Sequence, residues 1–69
     1  MTEMVFIVEE DVDGGFTARA ASQPIFTAAE NMDELKQNIR EAVECHFENP
    51  EDRPKIICLH TVRDKVLAL

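Results

Sequence analysis

The sequence predicts an α+β domain of two layers: elements in the order β-β-β-α-β, a mainly antiparallel sheet, one helix on one face and an extended C-terminal tail. Three observations predict it. An unbroken apolar run and an alternating run are separated by an Asp-Gly-Gly turn. One stretch, and only one, carries apolar residues at helical spacing behind a capping residue. A final apolar run follows a break bounded by two prolines.

The first strand covers residues 4–8, MVFIV, an apolar run rich in β-formers closed by the acidic residues Glu9, Glu10, Asp11 and Asp13. Asp13-Gly14-Gly15 then supplies backbone that tolerates positive φ, and an alternating stretch begins at once, which is a hairpin signal. In that second strand Phe16, Ala18 and Ala20 share one face while Thr17 and Arg19 share the other, so one face is packed and the other at least partly wet. Ser22-Gln23-Pro24 interrupts the chain, because proline lacks an amide hydrogen and keeps its predecessor out of the helical region. A short third strand is expected over residues 25–28.

The helix opens at Asn31, whose side chain can cap it, with Glu34 three positions on to complete the box. Met32, Leu35, Ile39, Ala42, Val43 and His46 follow at helical spacing along one face of about three and a half turns. Asp33, Glu34, Gln37, Glu41 and Glu44 fall opposite, as a solvated surface. Asn49-Pro50-Glu51-Asp52-Arg53-Pro54 ends the helix. Residues 55–62 read as the fourth strand, with Ile56, Ile57 and Leu59 apolar on both sides of the pleat, and residues 65–69 form the apolar tail.

With 69 residues the chain is one small domain, marginally stable alone. A single helix covers one sheet face, yet the first and fourth strands are apolar toward both, so a second cover is needed. A second copy of the chain is the simplest one, giving a homodimer whose contact uses the second sheet face, the fourth strand and the tail, through Val62, Val66, Leu67 and Leu69. Folding the tail back as a fifth strand is the monomeric alternative, although Arg63-Asp64 lacks the glycine or asparagine that tight turns favour.

Fourteen acidic residues against seven basic ones leave a net charge of −7, opposite in sign to what direct nucleic-acid binding requires. A basic protein partner is the better match, and Glu9, Glu10, Asp11 and Asp13 are the candidate contact residues. Plain solubility accounts for the same charge. No apolar run approaches the ~20 residues of a membrane span, and the N-terminal apolar run has acidic flanks where a secretory signal has basic ones, so a cytoplasmic protein is expected. Cys45 and Cys58 form no CxxC and are expected as free thiols in core or flanking positions.

Nothing in the sequence points to an enzyme, a cofactor or a metal. Asp11-Val12-Asp13-Gly14-Gly15 begins like a calcium loop but lacks the third acidic ligand and the closing glutamate. Gly14-Gly15 has neither the spacing nor the basic residue of a phosphate loop. Cys45, His46, Cys58 and His60 number four zinc-type ligands, but Cys45 points about 110° from the centre of the helix's apolar stripe. A packed thiol and hydrogen-bonded histidines are the expected reading. A Cys–His nucleophile pair has no third group to orient it.

The segment EEDVDGGF, from Glu9 to Phe16, resembles the HicB-family hairpin, in which acidic residues, a Gly-Gly turn and an aromatic residue follow an apolar strand. NMDELKQNIREAVECHF, from Asn31 to Phe47, is similar to the helix of that family. The resemblance implies a single β-β-β-α-β domain with strand order 3-2-1-4 that, in type II toxin–antitoxin pairs, masks a small basic mRNA-cleaving toxin of the HicA kind. It also admits a solitary homodimer without a toxin. SQPIF stands where many relatives have a Pro-Gly-Cys-like stretch. The sequence reaches Leu69 without the DNA-binding segment of full antitoxins, so operator binding is not expected of it.

Overall fold

The computed structural model describes residues 2–63 and 67–69. Along the chain come β1 (Glu3–Glu10), β2 (Phe16–Ala20), β3 (Phe26–Ala29), helix α1 (Met32–His46), a 3-10 turn (Pro50–Asp52) and β4 (Ile56–Val62). The four strands form one mixed sheet in the order β3-β2-β1-β4. β1 pairs antiparallel with β2 and parallel with β4, while β2 pairs antiparallel with β3. This is the α+β arrangement expected, and the sheet order is the one the family resemblance implies.

Register explains which residues are buried. Phe6 stands opposite Ala20 and Leu59, Val8 opposite Ala18, and Met4 opposite Ile57. These side chains therefore share one face of the pleat. Met4, Phe6, Val8, Ala18 and Ala20 are buried there under Leu35, Ile39 and Val43 of α1, with Ile25 closing one end. Met32, Ala42, Ile57 and Leu59 pack half-buried around this core. Removing this apolar surface from water is the main force holding helix to sheet.

The helix starts as its sequence directs, with the backbone amide of Glu34 donating to Oδ1 of Asn31 at 2.8 Å. Its far end is held by a residue the sequence did not single out. Arg53 donates from Nε to the carbonyl of Phe47 at 3.0 Å and from Nη2 to the carbonyl of Glu44 at 3.3 Å. A cation thus meets the unsatisfied carbonyls at the negative end of the helix.

Several elements differ from expectation in detail. β1 extends to Glu3 and Glu10, beyond its apolar run, because it has a partner on each side and the ladders carry the polar ends along. β3 begins one residue late, since Ile25 belongs to the turn: its amide donates to the carbonyl of Gln23, and its own carbonyl accepts from Ala20. His46 does not join the buried stripe. At the last turn it remains exposed, with Nε2 3.3 Å from Oε1 of Gln23 and its ring edge-on to Phe47 at 4.7 Å between centroids. Cys45 and Cys58 are both exposed rather than packed in or against the core.

Candidate functional site

The β1–β2 turn carries the candidate acidic residues at one end of the molecule. Asp11 closes it, its carbonyl accepting from Gly14 at 3.0 Å and its amide donating to the carbonyl of Gly15 at the same distance. Gly14 and Gly15 both have φ near +87°, the positive region that glycine adopts without strain, while Asp13 does not enter it. Val12 stands at the tip, 98% exposed between two carboxylates. Glu9 projects from the uncovered face of the sheet and Glu10 from the helix side, so the four acidic residues surround the hairpin end instead of lining one face. Glu10 lies 3.9 Å from Arg63, an exposed pair and the one salt bridge among the described residues.

Sequence reasoning missed how far this acidic end extends. β3 runs parallel to β1 and delivers the chain to the start of α1 beside the turn. As a result Glu30 and Glu34 line a shallow depression together with Asp11, Gly14, Gly15 and Phe16. Only the sheet order brings these segments together, and the sequence signal was confined to the hairpin.

The second sheet face is uncovered. Val5, Phe26, Ile56 and Val62 are exposed there to 37%, 67%, 58% and 36%, around a half-buried Ile7. Arg19, Cys58 and His60 share the face, as their partners Ile7 and Val5 require. Of the candidate dimer residues, Val62 thus belongs to this face. Leu67 and Leu69 are largely exposed, and Val66 lies outside the described residues.

The same division settles the geometry of the cysteine–histidine set. Cys45 and His46 end the helix on the covered side, whereas Cys58 and His60 point from β4 into the open face. The sheet separates the two pairs, so four ligands do not converge within one chain. Among the described residues no group of three or more histidine, cysteine or acidic side chains is arranged to hold a metal ion.

A third feature lies between α1 and β4. The helix rests over β2 and β3, leaving the inner side of β4 only half covered. There Ile39, Ile57 and Leu59 floor a cleft of about 330 Å³ whose rim carries Lys36, Arg40 and Lys55, with Pro54 at one end. Three of the seven basic residues of an acidic chain therefore border one apolar hollow. No described helix is long and apolar enough to cross a membrane.

Comparison with known proteins finds relatives of similar length. The chain is 53% identical over 53 residues to a UPF0150 protein of Archaeoglobus fulgidus, an alignment covering 77% of each chain. It is 37% identical over 67 residues to a UPF0150 protein of Thermotoga maritima, covering 97% of this chain and 93% of that one. No family model matches, and no solved structure matches.

Proposed function

The chain belongs to the UPF0150 family, and we propose that within it the chain works as a non-enzymatic, HicB-like protein-binding module that masks a small basic mRNA-cleaving toxin. One observation carries the reading. The sheet order β3-β2-β1-β4 with a single helix on one face is the arrangement that the HicB resemblance implies, and it collects acidic residues at the hairpin end. A negative surface of this kind raises the association rate of a basic partner and discriminates against acidic ones.

Copurification of the tagged full chain from its native host tests the proposal. The expected result is a small basic protein that cleaves RNA when isolated and stops when the chain is added back. Charge reversal at Glu9, Glu10, Asp11 and Asp13 then slows association and weakens its salt dependence. A basic partner whose RNA cleavage the chain does not suppress, or a native complex that contains no basic protein, overturns it.

The uncovered sheet face favours a second reading, a solitary HicB-like homodimer without a toxin. Val5, Ile7, Phe26, Ile56 and Val62 lie on this one face, interspersed with Arg19 and His60, and a second copy would remove them from water. A dimer whose native preparation contains only this chain supports that reading over the first.

A further inference from the structure

The hairpin tip and the helix–strand cleft are complementary in both polarity and charge. At the tip, Val12 is 98% exposed between Asp11 and Asp13, with Glu10 behind them. In the cleft, an apolar floor of Ile39, Ile57 and Leu59 is bordered by Lys36, Arg40 and Lys55. The three cations are exposed, and the one salt bridge among the described residues joins two others, Glu10 and Arg63. A small apolar side chain flanked by carboxylates is what such a cleft would accept. The hollow of about 330 Å³ exceeds the volume of a valine side chain, so the flanking backbone can approach as well.

The two features cannot meet within one chain. β4 runs parallel to β1, so the cleft, which opens near Lys55 at the start of β4, lies toward the beginning of β1. The tip lies beyond the other end of β1, whereas the cleft floor, Ile57 and Leu59, stands opposite Met4 and Phe6, so at least four residues or about 13 Å of strand separate the two. A rigid ladder on both sides of β1 holds them apart.

We propose that the Asp11-Val12-Asp13 tip of one copy docks in the Lys36–Arg40–Lys55 cleft of a second copy. Because tip and cleft are set apart along β1, two copies lying antiparallel make the contact twice and close it. The contact is local, electrostatic and on the helix side, which distinguishes it from an apolar association through the open sheet face. It overcomes the repulsion between two acidic chains only because the charges are segregated. It is therefore strongest at low ionic strength and fades as salt screens it.

A charge-exchange experiment on the full chain tests this. One variant carries D11K and D13K, the other K36E and R40E, all at exposed positions. In the first, tip and cleft are both positive, and in the second both are negative. Sedimentation velocity at about 0.05 M salt is expected to show the wild type associating, with at least a tenfold weaker association for each variant alone. An equimolar mixture of the two is expected to regain association, because each tip then finds a cleft of opposite sign. Raising salt to about 0.5 M abolishes both the wild-type and the mixed complex.

Association of either variant alone at wild-type strength overturns the proposal, and so does a mixture that stays apart. Concentration-dependent amide shifts in the wild type supply a readout independent of the variants. They are expected to cluster at residues 11–13 and around Lys36, Arg40 and Lys55, and shifts confined to the open sheet face refute the contact. Loss of a toxin-like partner would leave all of these outcomes unchanged.

Discussion

Nε of Arg53 lies 3.0 Å from the carbonyl oxygen of Phe47, and this bond fastens the end of α1 to the loop that begins β4. The loop must reverse direction so that β4 can enter beside β1, where the amides of Lys55 and Ile56 donate to the carbonyl of Thr2. Asn49 supports the same turn, its Oδ1 accepting from the amide of Glu51 at 3.1 Å. The first prediction follows from this: Arg53→Met removes the donors of one part-buried and one exposed carbonyl and is expected to cost about 1–2 kcal/mol of stability. Urea unfolding gives the measurement, and a midpoint equal to that of the wild type would show that the loop holds without it.

Ile39 is 2% exposed and joins the core beneath it to the floor of the cleft. Ile39→Ala is expected to cost about 2–5 kcal/mol, from lost transfer free energy plus the cavity left behind. Asn31→Ala, which removes the helix cap and no core volume, should cost about 1 kcal/mol. Thermal unfolding of the two variants checks the ranking, and a larger loss for Asn31→Ala would contradict this account of what holds the helix.

The two glycines of the hairpin separate backbone strain from crowding. Both have φ near +87°, so alanine is strained at either position by about 1 kcal/mol. At Gly15 the added Cβ would also lie 3.2 Å from the carbonyl oxygen of Ala29, whereas at Gly14 it meets open space. Gly15→Ala is therefore expected to destabilise more than Gly14→Ala. Equal unfolding midpoints for the pair would refute the crowding argument.

Open-face association predicts a different pattern from either core variant. Ile56→Lys places a charge at a position 58% exposed, so the fold should survive within about 0.5 kcal/mol while a dimer using that face dissociates. Removing residues 67–69 deletes two leucines that are largely exposed, and it too should leave the monomer's stability unchanged. Light scattering and circular dichroism on each variant provide the test. An unaltered assembly in Ile56→Lys removes the open face from the interface, and an unaltered assembly in the shortened chain removes the tail.

Local patterns were legible where the cause of structure is itself local. Asn31 and Glu34 announced the helix start because a cap requires only a side chain and an amide three residues on. The stripe Leu35, Ile39 and Val43 announced the buried face, since helical spacing alone places them together. His46 shares that spacing yet stays exposed, because its neighbours Gln23 and Phe47 decide its surroundings and Gln23 is distant in sequence. The exposure of Cys45 agrees with its place about 110° off the apolar stripe, whereas that of Cys58 had no readable signal. A thiol is at home inside or outside, and only the position of the sheet decides.

The sequence by itself determined the element order, the hairpin, the helix with its buried stripe and the acidic balance of the chain. Each of these follows from residue types and spacings within a few positions of one another. Tertiary structure decided that β4 enters parallel beside β1, an order the sequence offered only through the family resemblance, and with that pairing came the molecule's surface features. It turned Ile57 and Leu59 toward the helix and left Ile56 and Cys58 on the open face, joined Glu30 and Glu34 to the hairpin, and opened the basic-rimmed cleft between α1 and β4. The reason is physical. A crossover's destination depends on long-range burial and on ladder hydrogen bonds between segments some fifty residues apart, and no local spacing records it.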